Sequence, residues 1–221
     1  MRELTTELLE PILARDPAGP RITWYDDANG ARIELSGLTL ANWAAKTANM
    51  IRDEFGLAAG ARVGVLLPAH WQSAGVLLGA WWAGAEVVLD ADADLVFAPA
   101  ADLPDADEVV ALSLDPMGLP ARDLPVGVTD YASSVRIHGD QFRPAGAGSA
   151  LAGMSVADVL DAAKSSLTPA DRVLSTLEWD SPQALIDRFV AVLAAGASLV
   201  QVSNPNGADH SSERTTQTLR A

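Results

Sequence analysis

The sequence predicts an α/β fold of two pseudo-symmetric βαβ-containing subdomains, with mostly parallel sheets flanked by helices. Three observations predict it. Residues 62–89 contain a strand-like apolar run, an apolar helix and a second strand-like run, which is the order of a βαβ unit. These runs are almost continuously apolar, as is typical of strands covered on both faces. The same order returns about 110 residues later, at 172–202, which indicates duplicated units.

The elements before the first unit follow from periodicity and turn residues. Leucine and isoleucine recur at helical spacing over residues 1–15. Two β-rich runs flank Asn29-Gly30, a pair that favours a tight turn and predicts a β-hairpin. An amphipathic helix is predicted next, with Thr39 as its N-cap and Gly56 as its stop signal.

The repeat also indicates the domain organisation. We expect one domain over residues 1–206, with repeat halves at about 35–89 and 151–202. In the second half Ser155 is the predicted N-cap of a helix. Residues 207–221 are polar and lack periodicity, so the sequence predicts a flexible polar tail there.

Composition excludes several functional classes. The net charge of −14 repels phosphate backbones and anionic lipids, so neither nucleic acid nor a membrane is an expected partner. The absence of cysteine excludes disulfides, thiolate catalysis and zinc–thiolate sites. The first residues lack the apolar core of a secretory signal, and the longest apolar run is too short to span a bilayer. A cytoplasmic protein is therefore expected.

No catalytic residue, metal site or cofactor is assigned from the sequence. Asp90, Asp92 and Asp94 alternate as in a calcium loop, but the glycine and glutamate that such a loop also needs are missing. They are interpreted as a solvated acidic turn. His70 follows a strand end, where α/β sheets place functional loops, yet a loop residue without a catalytic role is the simpler interpretation.

A glycine-rich stretch at residues 143–153, "RPAGAGSALAG", has the small residues with which a loop approaches phosphate. A P-loop also needs a lysine and a following hydroxyl residue, because these neutralise the phosphates and hold magnesium. The chain has two lysines, Lys46 and Lys164, and neither lies in this stretch. A flexible connector is therefore the preferred interpretation.

One candidate binding pair follows the first strand of the second unit. In "LEWDSPQ", Trp179 would form a pocket wall and Asp180 would supply charge to a small ligand. The alternative is a helix N-cap, since Asp180 or Ser181 before Pro182 is a typical helix start. The two roles are compatible, and both remain open at this point.

Two long stretches carry a resemblance to a known family. These are "SGLTLANWAAKTANMIRDEFGLAAGARVGVLLPAHWQSAGVLLGAWWAGAEVVL" and "TPADRVLSTLEWDSPQALIDRFVAVLAAGASLV". They resemble the N-terminal region of AMP-forming adenylating enzymes: acyl-CoA synthetases, nonribosomal adenylation domains and luciferase. The resemblance covers about residues 21–202 and implies a large domain of two pseudo-symmetric subdomains. It implies that Asp180 corresponds to the carboxylate that holds the amino group of amino-acid substrates, and that Trp179 replaces the aromatic residue before it.

The departures from the family concern its chemistry. Where the family carries a hydroxyl-rich phosphate loop ending in Lys-Gly, this chain has "VRIHGDQFRPAGAGSALAG". The family's adenine-binding motifs and its small C-terminal domain with the catalytic lysine would follow position 202. We therefore expect a truncated, catalytically silent relative (a pseudoenzyme) with a binding or interaction role.

Two alternatives remain open: an enzyme that needs a partner chain, and a module that binds a small carboxylic or amino acid. Whether the chain is an enzyme is thus undecided at this stage, with the balance against it. Because a truncated fold leaves sheet edges uncovered, self-association or a protein partner is expected.

Overall fold

The computed structural model describes residues 2–219; Met1, Arg220 and Ala221 lie outside the described range. The strands are β1 (Pro20–Asp26), β2 (Ala31–Ser36), β3 (Arg62–Val65), β4 (Glu86–Val88), β5 (Leu95–Pro99), β6 (Val109–Leu112), β7 (Thr129–Asp130), β8 (Ser149–Leu151), β9 (Met154–Ser155), β10 (Arg172–Ser175), β11 (Ser198–Ser203) and β12 (Gln217–Thr218). The α-helices are α1 (Leu4–Arg15), α2 (Gly37–Asn49), α3 (Trp71–Trp82), α4 (Tyr131–Val135), α5 (Val156–Ala162), α6 (Pro182–Leu185) and α7 (Ala191–Ala194). A π-helical turn, Ile186–Val190, joins α6 and α7 into one continuous helix.

The strands form two sheets. The five-stranded sheet has the order β12-β10-β11-β1-β2, and the seven-stranded sheet has the order β7-β6-β5-β3-β4-β8-β9. Among the described strands, every neighbouring pair is parallel except the hairpins β1–β2 and β8–β9. The predicted α/β class with mostly parallel sheets is confirmed.

Each sheet contains one βαβ unit. In the seven-stranded sheet, β3 and β4 are parallel neighbours connected by α3, with Val63 opposite Val87. In the five-stranded sheet, β10 and β11 are parallel neighbours connected by α6 and α7, with Val173 opposite Leu199. The two matching stretches of sequence therefore form the same structural unit, each in its own sheet.

Helix α3 is apolar on all sides because it is covered on all sides. It contacts β3 and β4 of the larger sheet, β1 of the smaller sheet, and helices α1 and α2. Trp81 is buried, and its indole nitrogen donates to the carbonyl of Ala150 over 2.8 Å. A Cβ placed on Gly79 would lie 2.4 Å from the Cβ of Thr47, so α2 and α3 approach closely there. No helix of residues 2–219 has both the length and the apolarity needed to cross a membrane.

Helix starts and turns follow the local sequence with one exception. The Asn29-Gly30 hairpin is confirmed, and Gly30 has a φ of +76°. Ser155 caps α5, as predicted. The prediction of Thr39 as the N-cap of α2 is wrong, because the hydroxyl of Ser36 accepts from the Thr39 amide over 3.1 Å and the helix begins at Gly37. A serine three residues earlier satisfies the same orphan amide.

The sequence predicts a flexible polar tail over residues 207–221. Its described part includes β12, which extends the five-stranded sheet by pairing in parallel with β10. Positions 220 and 221 lie outside the described residues.

Glu213 attaches this tail to the outer face of the five-stranded sheet. Its nearly buried carboxylate forms ion pairs with Arg32 and Arg172 and accepts from the hydroxyl of Tyr25. Burial opposes its ionisation, but hydrogen bonds from Arg32, Tyr25 and Arg172 outweigh that effect and lower the pKa of Glu213 to about 2. One buried ion-pair cluster and two strand residues hold the tail. Neither kind of contact requires apolar residues at regular spacing, which is why the tail sequence lacks periodicity.

Candidate functional site

The loops that follow β3 and β10 meet where the two sheets adjoin. The amide of Ala69 donates to the carboxylate of Glu178 over 2.8 Å. The hydroxyl of Ser203 donates to the carbonyl of Ala69 over 3.3 Å and accepts from the indole of Trp24 over 2.9 Å. Strands β1, β3, β10 and β11 all direct their carboxyl ends to this place, which is the edge where α/β sheets bind ligands. We call this region the junction site.

His70 begins α3 at the junction site. Its Nδ1 accepts from the Gln72 amide over 3.1 Å, and its ring packs edge-on against Trp24 with centroids 4.3 Å apart. The residue is 3% exposed, and burial lowers the pKa of His70 to about 3, so the ring is neutral at pH 7. Because Nδ1 is the acceptor, Nε2 carries the hydrogen. That N–H has no hydrogen-bond partner among the described residues.

Other buried polar atoms near the junction site also lack hydrogen-bond partners within the described residues. They are Gln72 Oε1, Ser73 Oγ, Trp179 Nε1 and Gln201 Oε1. Each such atom costs about 1–3 kcal/mol unless a ligand or water supplies its partner. Sequence reasoning missed the two glutamines. For Gln72 the available signal was a cluster of polar residues, His70, Gln72 and Ser73, at the start of a helix that is otherwise apolar; for Gln201 it was a polar residue within the apolar strand β11.

The structure brings the predicted pair, Trp179 and Asp180, to one cavity. The Trp179 ring is buried, and its centroid lies 4.6 Å from that of Phe189. The Asp180 side chain is 72% exposed, and its Oδ1 lies 3.6 Å from Arg188 Nη1. The cavity has a volume of about 240 Å³ and is also lined by Val65, Leu66, Leu67 and Leu89. The hydroxyl of Ser181 caps α6, so the Asp180 carboxylate is not used as the cap.

Several amides of the stretch that replaces the phosphate loop are engaged by the protein itself. Gly146 donates to the carboxylate of Glu3 over 3.1 Å. Ala152 and Gly153 form the tight turn between β8 and β9 with φ values of +45° and +83°. The Ala152 amide donates to the backbone of β4, and the Gly153 amide donates to the carboxylate of Glu86 over 2.6 Å. A phosphate cradle needs several amides that converge on one anion, and these amides face acceptors of the chain.

The two lysines lie on other elements. Lys46 in α2 donates to the carbonyl of His138 over 2.6 Å, and Lys164 follows α5 in an exposed ion pair with Asp161. The acidic turn after β4 pairs with Arg62, whose guanidinium lies 2.8 Å from Asp92. Within the described part of the chain, no group of three or more acidic or histidine side chains is placed to hold a metal ion.

A second, larger groove lies at the carboxyl ends of β5 and β6. Its volume is about 730 Å³, and its lining residues are Ala100, Ala101, Ser113, Asp115, Leu119, Pro120, Ala121 and Arg122. The side chains of Met117, Leu119 and Val126 on the same segment are exposed to solvent. Nothing in the sequence pattern predicted this groove, because its segment has no periodicity.

Comparison with known proteins supplies one curated relative and a set of structures of the same fold. No protein-family model matches the chain. A TIGR03089 family protein of Mycobacterium tuberculosis (strain ATCC 25618 / H37Rv) is 54% identical over 222 residues, covering 93% of this chain and 91% of that protein.

The solved structures show the fold. The acyl-CoA synthetase of Brucella canis superposes with a TM-score of 0.73 at 18% identity, over 90% of this chain and 43% of that one. A benzoate CoA ligase from Burkholderia xenovorans LB400 gives 0.70 at 14%, over 91% and 45%. The N-terminal domain of FACL13 from Mycobacterium tuberculosis gives 0.61 at 16%, over 91% and 57%. The resemblance to adenylating enzymes is thus confirmed at the level of the fold, and the chain spans roughly half the length of these structures.

Proposed function

The chain belongs to the TIGR03089 family, and from that premise we propose that it is a binding protein built on part of the adenylating-enzyme fold, without adenylation activity of its own. The observation that carries this proposal is the tight β8–β9 turn at Ala152-Gly153. Adenylation must stabilise charge that builds on a phosphate, and in such reactions each preorganised donor contributes about 10²–10³ in rate. The amides at this turn donate to β4 and to Glu86 instead.

The proposed ligand is a small carboxylic or amino acid in the cavity beside Trp179. Asp180 would accept hydrogen bonds from an ammonium group, and Arg188, 3.6 Å from Asp180, would face the ligand's carboxylate. The apolar lining suits an aliphatic side chain, and a volume of about 240 Å³ suits a single amino acid. The indole N–H of Trp179, which has no hydrogen-bond partner among the described residues, would be a further donor beside this wall.

Two experiments test the two halves of this proposal. Pyrophosphate exchange over a panel of amino and fatty acids should stay at background, and calorimetry with ATP and magnesium should show no micromolar binding. Exchange above background would contradict the loss of adenylation. For the ligand, thermal-shift screening should find an amino or carboxylic acid that stabilises the native protein.

Asp180→Asn should remove the ligand-dependent thermal shift. Asp187→Asn is the matched control, because Asp187 is an exposed acid on the same helix that bonds to Gln183 and does not line the cavity. The pocket assignment fails if both variants keep the shift or if both lose it equally.

A second candidate function is docking of another protein at the 730 Å³ groove. The exposed Met117 and Leu119 favour it, and the net charge of −14 favours a basic amphipathic segment over a second copy of this acidic chain. If that partner carried the catalytic groups that this chain lacks, the two chains together would form the partner-dependent enzyme that the sequence left open. Light scattering separates this from self-association, since self-association would double the mass of the isolated protein.

A synthetic amphipathic lysine–leucine peptide is a suitable probe. Leu119→Asp adds negative charge, so it should strengthen purely electrostatic binding but weaken docking in the groove by tenfold or more. Leu38→Asp is the matched control, because Leu38 is 53% exposed on α2 and Leu119 is 54% exposed. Equal or tighter peptide binding by Leu119→Asp would exclude the groove as the docking surface.

A further inference from the structure

A small pocket on the outer face of α2 combines two cations with an aromatic wall. It has a volume of about 250 Å³ and is lined by Thr39, Asn42, Trp43, Lys46 and Arg136. The four residues from α2 lie three, four and seven positions apart, so they share one face of the helix. Arg136 comes from the segment that follows α4, and the pocket therefore lies between two elements.

The two cations of this pocket are not neutralised by a carboxylate. Lys46 donates to the carbonyl of His138 and Arg136 donates to the carbonyl of Gly118, each over 2.6 Å. Neither lies within 4.0 Å of a carboxylate oxygen of the described residues, whereas Arg32, Arg62 and Arg172 each form ion pairs. Each still has N–H donors to offer, since an ammonium has three and a guanidinium five. The two cations therefore face one cavity without a carboxylate partner among the described residues, in a chain with a net charge of −14.

The aromatic wall is held in a fixed orientation. The Trp43 ring lies edge-on to Trp71, with centroids 5.4 Å apart, and stacks at 6.3 Å on Tyr131. Tyr131 is itself buried and hydrogen-bonded to Thr47 over 2.7 Å. The half-buried Trp43 thus presents a flat surface to the pocket at little entropic cost on binding.

The segment that carries Arg136 is held as firmly. The imidazole of His138 is 2.9 Å from the carboxylate of Glu54, which also accepts from the hydroxyl of Ser134. The carboxylate of Glu54 therefore interacts with His138 and Ser134 of this segment. Arg136 and Lys46 are therefore positioned before any ligand arrives.

We propose that this pocket binds a small planar carboxylate, with the ring against Trp43 and the carboxylate between Lys46 and Arg136. The amide of Asn42 and the hydroxyl of Thr39 supply neutral hydrogen-bonding groups at the rim. A volume of about 250 Å³ holds one aromatic ring and its carboxylate and lies below the range typical of larger ligands. The site is separate from the junction site, and nothing in the proposed function depends on it.

Benzoate is the probe, with cyclohexanecarboxylate and inorganic phosphate as comparison ligands, measured by calorimetry on the full chain. Benzoate should bind saturably, and at least tenfold more tightly than phosphate or cyclohexanecarboxylate. Equal affinity for phosphate would overturn the planar class, and no saturable benzoate binding at millimolar concentration would overturn the site.

Lys46→Met and Arg136→Met should each weaken benzoate binding by at least tenfold while leaving the thermal midpoint within a few degrees. Arg143→Met is the matched control, because Arg143 is an exposed arginine that lines none of the cavities described above. Lys46→Gln and Arg136→Gln replace the first pair if methionine disturbs folding. An equal loss in Arg143→Met would show a general charge effect and overturn the site. A loss in Asp180→Asn would place benzoate at the junction site and overturn the proposal without affecting the proposed function.

Discussion

The two βαβ units share their local construction and differ in the loop after the first strand. Both end their helix at a glycine with positive φ, Gly84 at +80° and Gly196 at +68°. In the first unit the helix cap is His70, a buried ring that contacts Trp24. In the second unit the cap is Ser181, and the preceding Asp180 is exposed. Equivalent loop positions of the repeat are therefore buried in the first copy and exposed to solvent in the second.

The helices of the two units differ in how closely they pack against their neighbours. Five residues before the turn glycine, the first unit has Gly79, which lies against Thr47 of α2. The second unit has Ala191 at that place, and a π-helical turn precedes it. The first copy is therefore packed more closely than the second. This asymmetry is one of packing, and the proposed ligand cavity lies beside the more loosely packed second unit.

The largest expected effect concerns this close packing. Gly79→Ala should lower the free energy of unfolding by about 2–3 kcal/mol, because its Cβ would lie 2.4 Å from the Thr47 Cβ and cannot move away on a flexible side chain. Ala191→Gly, in the second unit, should cost only about 1 kcal/mol from helix propensity and a lost methyl group. Urea unfolding measures both. Equal losses would remove the proposed difference in packing.

The next effect is the pH dependence of the first unit's cap. The pKa of His70 is about 3 in the folded state and 6.5 in the unfolded reference, so the unfolded state binds the proton first as the pH falls. His70 thus costs no stability above pH 6.5. It destabilises the fold progressively below that, by at most about 1.4 kcal/mol per pH unit.

Unfolding free energies between pH 7 and pH 5 check this expectation. His70→Asn, which keeps a capping oxygen, should flatten the decline in that range. An unchanged slope in the variant would assign the pH dependence to other groups.

A smaller effect is expected at the second unit's cap. Ser181→Ala should lower the free energy of unfolding by about 1 kcal/mol, because the Ala184 amide loses its acceptor. Pro182, whose φ suits the first helical position, should limit the loss. Thermal and urea unfolding of the variant measure it. An unchanged free energy of unfolding in Ser181→Ala would show that the Ser181 hydroxyl does not stabilise α6.

The smallest effect is expected at Asp180. Asp180→Asn should change the free energy of unfolding by less than about 0.5 kcal/mol, because an exposed pair with Arg188 contributes little. A stability loss above about 1 kcal/mol would make Asp180 a structural residue and weaken its assignment to the ligand.

Much of the fold could be predicted because it depends on local chemistry. The continuous apolar run before Pro68 indicated a strand covered on both faces. The Asn29-Gly30 pair indicated the hairpin between β1 and β2. The position of the α2 cap was wrong by three residues, since Ser36 and Thr39 are both capable caps and only the backbone geometry selects one. The ligand-binding role of Trp179 and Asp180 stays a prediction. The two residues line a cavity, and its apolar lining residues lie at the end of β3 or just after β3 and β4, at least 90 residues earlier in the chain.

Periodicity, turn residues and residue type are local properties, so they were enough to predict the α/β class and the repeated βαβ units and to show that the family's phosphate-loop motif is missing from the sequence. The tertiary structure alone decided which polar groups are buried and which cations lack a carboxylate. His70 and Asp180 occupy related loops, yet one packs against Trp24 while the other faces solvent. Glu213 joins the tail to Arg172 of the five-stranded sheet, and Trp43, Lys46 and Arg136 line one pocket. Burial and pairing depend on residues that are far apart along the chain, and no local pattern encodes those distances.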